Sequence, residues 1–230
     1  MWKRNWLLGV LACAPLFPAL AIGACPASSP QWQAEIGTLV ADDTVHPPLQ
    51  NAVLFVGSSS IRMWTTLARD FPGVPVINRG FGGSMIADST YYADRIIVPY
   101  HPRLIVMYAG DNDIAEGCTP RQVFDEFKDF VATIRHSLPH VAIAYVSIKP
   151  SIARASMWPR MRQANREIAR WTRTQERVTF VDIAPGMLDA HGRPKAPLFR
   201  EDGLHMSPAG YAIWIEALKP VLARSGFGTH

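Results

Sequence analysis

Five short, mainly apolar runs punctuate the chain, at 52–56, 74–77, 104–108, 141–146 and 178–181. None of them alternates apolar with polar, so each suits a strand buried on both faces of a parallel sheet. The stretches between them carry helical spacing. Over residues 31–42, Trp32, Ile36 and Val40 recur on one face, which predicts a short amphipathic helix packed on the body of the fold. Pro47 and Pro48 then break the chain before the first strand. A second helical stretch, 84–98, stops at Pro99. A third covers 120–138, with Thr119 as N-cap, Pro120 in the first turn and an inward stripe of Val123, Phe127, Phe130, Val131 and Ile134. Residues 156–174 form a fourth, with arginines outside, and 208–223 a last one, capped by Ser207 with Tyr211, Ile215 and Leu218 inward.

Strand and helix alternate throughout, which implies βαβ units and a parallel sheet. Right-handed crossovers then place helices on both faces. The expected fold is a three-layer αβα sandwich of about five parallel strands, a single domain over 25–230 without internal repeats. In such sheets the active crevice lies at the carboxyl ends of the strands, so chemistry is expected directly after each apolar run.

The 230 residues are 48% hydrophobic and 18% charged, a globular composition with a net charge of +4. Lys3 and Arg4 supply two of those charges at the head of an apolar stretch, 6–21, interrupted by Pro15 and Pro18 and followed by small residues. That layout is a secretory signal peptide over 1–24 and not a membrane span. The remaining 21 bases and 19 acids leave no electrostatic footprint for nucleic acid. The sequence at 22–25, Ile-Gly-Ala-Cys, resembles a bacterial lipobox with Cys25 as the lipidated residue. Cys25 either carries a lipid and a membrane attachment, or pairs with Cys118 in an oxidising compartment. The chain is expected in the periplasm or as an outer-membrane lipoprotein.

Four polar clusters occupy the expected crevice. Gly57-Ser58-Ser59-Ser60 follows the first run, where a glycine permits a tight exit and helix N–H groups favour an anion. Asn78-Arg79-Gly80-Phe81-Gly82-Gly83-Ser84 follows the second and leaves backbone N–H groups open. Ala109-Gly110-Asp111-Asn112-Asp113 follows the third; Asn112 has an amide to donate, although an Asx turn would use the same residues. Asp202-Gly203-Leu204-His205 precedes the last helix, and an Asp three residues before a His can fix its tautomer while the His takes a proton. No ligand set of metal-site spacing accompanies Asp111 and Asp113.

Taken together these blocks resemble the SGNH/GDSL hydrolases, esterases and lipases of flavodoxin-like architecture, over roughly residues 50–222. The resemblance implies a catalytic Ser59, Asp202 and His205. It implies an oxyanion hole of the Ser59 N–H, the Gly83 N–H (with Gly82 its rival) and the Asn112 amide. It implies no cofactor and no metal. Ser58 stands where the family has Asp, so three serines adjoin and Ser58 or Ser60 compete with Ser59 by spelling alone. Arg79, Lys149 and Arg154 follow strands two and four; they either bind an anionic or sugar-linked part of a substrate or pair with Asp111 or Asp113. The expected activity is hydrolysis of a small-molecule or carbohydrate-linked carboxylic ester. The alternatives are an O-acyltransferase acting on a carbohydrate and a flavodoxin-like module that binds without catalysis.

Overall fold

The computed structural model describes residues 25, 26, 28 and 30–227; the leader expected over 1–24 lies outside them. Five strands form one parallel sheet: β1 (Val53–Gly57), β2 (Val76–Gly80), β3 (Leu104–Tyr108), β4 (Ala142–Val146) and β5 (Val178–Val181). Their order is β2-β1-β3-β4-β5, the doubly wound order in which the chain reverses direction between β1 and β3. β1 and β3 are buried at every position, which is why their sequences are apolar without alternation.

Among the described residues ten α-helices flank the sheet: α1 (Gln33–Val45), α2 (Ser59–Arg62), α3 (Leu67–Asp70), α4 (Ile86–Tyr91), α5 (Ala93–Ile96), α6 (Asp111–Ala115), α7 (Pro120–Ser137), α8 (Trp158–Thr172), α9 (Ala184–Met187) and α10 (Pro208–Arg224). Leu54, Val56, Ile105, Met107, Ile143 and Tyr145 point into one core, packed by α1, α5, α7 and α8. The alternate positions Val53, Phe55, Leu104, Val106 and Val146 point into the other, filled by α2, α3 and α10. Two cores on one sheet make the three-layer αβα sandwich that the pattern implied.

The helical stretch expected over 84–98 is divided. α4 ends at Tyr91, α5 follows after Tyr92, and a 3-10 turn covers Val98–Tyr100. Tyr92 leaves helical backbone and buries its ring edge-on against Phe81; tertiary packing overrides the local periodicity here. The helix after the serines is a single turn, Ser59–Arg62. The amino-terminal helix expected at 31–42 is α1, and it is tied down at three points. Cys25 is disulfide-bonded to Cys118, Glu35 reaches the loop after β2, and Asp43 accepts hydrogen bonds from Arg79 and the Tyr100 hydroxyl. Of the two fates open to Cys25, the structure carries the disulfide with Cys118.

Candidate active site

The tight exit from β1 depends on Gly57. Its φ is +131°, and a Cβ there would lie 1.8 Å from the Tyr108 carbonyl oxygen of β3. A larger residue would push the two central strands apart. The Ser58 N–H donates to that same carbonyl at 3.0 Å, and Ser58 takes extended backbone as the N-cap of α2. This makes Ser59 the first helical residue and turns its side chain out of the core. Ser58 and Ser60 are each 1% exposed, and their hydroxyls have no hydrogen-bond partner. Ser59 Oγ instead lies 3.0 Å from His205 Nε2, across a sequence separation of 146 residues.

His205 is held by its own loop. Asp202 Oδ2 lies 2.6 Å from His205 Nδ1. Asp202 Oδ1 accepts the N–H groups of Leu204 at 2.8 Å and of His205 at 2.9 Å. A carboxylate can only accept, so Nδ1 carries the proton and Nε2 presents its lone pair to the Ser59 hydroxyl. The imidazole hydrogen bond, followed by the two backbone N–H groups, pushes the Asp202 carboxyl down to about 2. Gly203 takes a φ of +63° to make the turn. Its carbonyl accepts the N–H groups of Ile152 at 2.9 Å and Ala153 at 3.1 Å, which fastens this loop to the one after β4.

The glycine loop after β2 lies on the other side of Ser59's helix. Asn78 brackets it, donating to the Ile61 carbonyl at 2.8 Å and accepting the Gly80 N–H at 2.9 Å. The two rival glycines differ. Gly82 is buried, its N–H donates to Glu35 Oε1 at 3.1 Å, and a Cβ on it would strike the Trp32 ring. Gly83 is exposed, and a Cβ on it would meet only Asn112 Nδ2, at 3.8 Å. Asn112 donates one Nδ2 hydrogen to the Ser84 carbonyl at 3.0 Å and accepts from Arg154 Nη2 at 2.9 Å through Oδ1. Ser59, Gly83 and Asn112 thus come from the segments that follow β1, β2 and β3, and Asp202 and His205 from the loop before α10.

Of the two roles open to the three basic residues, Lys149 and Arg154 show the pairing with Asp111, and Arg79 pairs with Asp43. Arg79 lies within β2 and not in the loop after it. Its buried guanidinium bonds Asp43 of α1 and packs 4.5 Å over the Tyr100 ring. Lys149 is 2% exposed and donates to Asp111 Oδ2 at 2.8 Å and the Tyr108 hydroxyl at 3.0 Å. Arg154 approaches the same Asp111 oxygen at 3.2 Å. Burial pushes the Asp111 carboxyl up, but the two cations outweigh it and hold it below its ordinary value. The two aspartates flanking Asn112 do not converge on one point. Asp113 accepts the Ile86 N–H at 3.0 Å and faces Glu126 of α7. Burial, then the neighbouring carboxylate, pushes the Glu126 carboxyl up.

Glu35 was not legible as a site residue. It sits beside the apolar stripe of α1 and bears no motif; only the fold brings it against Gly82. Tyr108 was read simply as the end of a strand, yet its carbonyl holds Ser58 and its hydroxyl holds Lys149.

The model of the GDSL-like lipase/acylhydrolase family matches residues 54–213. No curated protein matches the chain. Among solved structures, a candidate acylhydrolase from Bacteroides fragilis superposes with a TM-score of 0.72 at 20% identity, covering 84% of this chain and 97% of that one. A GDSL-like lipase from Bacteroides thetaiotaomicron gives 0.68 at 19% identity, covering 85% and 97%. A variant of an acetyl-xylooligosaccharide esterase from Geobacillus gives 0.59 at 16% identity, covering 79% and 96%. At such identities these neighbours speak for the fold, and the match over 54–213 speaks for descent: the chain belongs to the GDSL-like lipase/acylhydrolase family.

Proposed function

We propose that the protein is a serine esterase that hydrolyses a carboxylic ester by two acyl transfers. The observation that carries this reading is the unbroken line from Ser59 Oγ through the His205 imidazole to Asp202, at 3.0 and 2.6 Å. Ser59 Oγ attacks the ester carbonyl as its proton passes to His205 Nε2. The oxyanion is received by the N–H groups of Ser59 and Gly83 and the remaining Nδ2 hydrogen of Asn112. His205 then gives the proton to the departing alcohol, and the acyl group stays on Ser59. Water attacks that acyl-enzyme with His205 again as base, releasing the acid and restoring Ser59. Asp202 stabilises the imidazolium in both steps without taking the proton, which its low position on the pH scale supports.

The substrate class proposed is a small or carbohydrate-linked ester, in keeping with the activity named for the Geobacillus neighbour. The protein is proposed to work outside the cytoplasm, since it opens with a signal-peptide layout and pairs Cys25 with Cys118. Hydrolysis of p-nitrophenyl acetate and longer-chain esters by the wild type and by Ser59→Ala tests the reading. Turnover lost in a folded variant is the expected result. Equal turnover in both proteins would overturn it.

A further inference from the structure

Arg154 is poorly placed to bind substrate. Its Nη2 donates to Asn112 Oδ1 at 2.9 Å, and Nη1, buried and without a hydrogen bond, lies within ion-pair range of Asp111 Oδ2 at 3.2 Å. Its side chain is 17% exposed. The loop that carries it is fixed at Ile152 and Ala153 to the carbonyl of Gly203, inside the Asp202–His205 turn. We infer that Arg154 is a positioning residue of the oxyanion hole, acting through the amide of Asn112; this rests on the esterase reading above.

Two physical consequences follow from the contacts. The first concerns which way the amide faces. Arginine has no acceptor and the Ser84 carbonyl has no donor, so Oδ1 must face Arg154 and Nδ2 must face Ser84. A flipped amide would set donor against donor and acceptor against acceptor. With one Nδ2 hydrogen held by Ser84, the other is left to the side where Gly83 stands. The second concerns charge. Lys149 and Arg154 share a single carboxylate, Asp111, in a buried cluster. Among the described residues neither cation has another ion-pair partner. One positive charge is therefore left over, and Arg154 places it on the carbonyl oxygen of Asn112. It draws electron density from the amide nitrogen and strengthens the N–H that meets the oxyanion. Because the cluster is fixed before substrate arrives, no reorganisation is needed as charge develops.

The test uses p-nitrophenyl acetate, a neutral ester that offers Arg154 no anion. In Arg154→Ala, kcat is expected to fall roughly ten- to a hundred-fold with KM nearly unchanged, as for weakening one oxyanion donor. In a background of Asn112→Ala, the same substitution is expected to add little, because the two act as one unit. Added guanidinium chloride at a concentration too low to denature should restore part of kcat to Arg154→Ala, while sodium chloride should not. A purely structural role would not show that rescue or that non-additivity. If Arg154→Ala does not fold by circular dichroism, Arg154→Lys carries the same cycle, since an ammonium cannot serve Asn112 and Asp111 in fork geometry. The inference is overturned by a raised KM with kcat intact, or by effects that multiply in the double variant. An Asn112→Ala variant as active as wild type would instead remove Asn112 from the oxyanion hole, and this inference with it.

Discussion

Three consecutive serines leave β1, yet only the middle one meets an imidazole. Gly57 and the Ser58 N–H fix where the helix starts, and the start fixes which hydroxyl faces His205. The sequence narrowed the nucleophile to three neighbours; which side chain faces outward depends on a backbone angle that spelling does not reveal. Ser58→Ala and Ser60→Ala each remove a buried hydroxyl without a partner, so both are expected to stay within about 0.5 kcal/mol of wild-type stability and to keep esterase activity. Asp202→Asn is expected to lose about ten-thousand-fold in kcat, because an amide can hold the wrong tautomer of His205; a melting curve that matches wild type would show that the loss is chemical. The depressed Asp202 carboxyl also sets a direction with pH. A lowered group contributes above its ordinary carboxylate range, and its contribution is lost as pH falls toward about 2. The Asp202 carboxyl is therefore expected to stay ionised through mildly acidic solution, seen as an unshifted Asp202 carboxyl-carbon NMR resonance down to about pH 4. Glu35 shows what spelling withholds at this scale. It belongs to no motif, yet it occupies the Gly82 N–H and leaves Gly83 open. Glu35→Ala is expected to lower kcat about ten-fold by loosening that loop.

At the scale of elements, the strands were the most legible part, because burial on both faces writes itself as an unbroken apolar run. The long helices α7 and α10 were nearly as clear. Thr119 caps α7 by accepting the Gln122 N–H, and the Gln122 side chain reaches back to the Thr119 N–H. Thr119→Ala is expected to cost about 1 kcal/mol, read by urea denaturation. The break at Tyr92 was not legible, since its cause is a ring packed against Phe81, from another part of the chain. α10 is joined to the helix of Ser59 by the Tyr211 hydroxyl, which donates to the Ser60 carbonyl at 2.9 Å, and by the Tyr211 ring stacked on Trp64. Between α6 and α7, Asp113 and Glu126 form a buried acid pair. A raised carboxyl stabilises fully below its unfolded value, and that stabilisation is lost as pH rises through the folded value, here up to about 8. Glu126→Gln, which is neutral throughout, is therefore expected to melt higher than wild type at pH 9 and alike at pH 4; the reverse order would contradict the pair.

Over the whole molecule, the doubly wound order explains why residues 146 apart can meet. It places the exits of β1, β2, β3 and β4 side by side and returns the last loop to the first. The sequence implied this return, because three polar clusters each follow an apolar run and the fourth precedes the last helix. It offered the Cys25–Cys118 pairing as one of two fates, but not the hold of Glu35 on the glycine loop, from a segment that lies before the region matching the family model. The Cys25–Cys118 bond closes a loop of 93 residues, so its reduction is expected to cost about 4 kcal/mol in stability. Everything in this account converges on one oxygen atom, Ser59 Oγ. The most direct measurement is covalent labelling with a fluorophosphonate, followed by digestion and fragment mass spectrometry. The adduct is expected on Ser59 alone, at one per chain, and absent from His205→Ala. An adduct on Ser58 or Ser60, or full labelling without His205, would contradict the account.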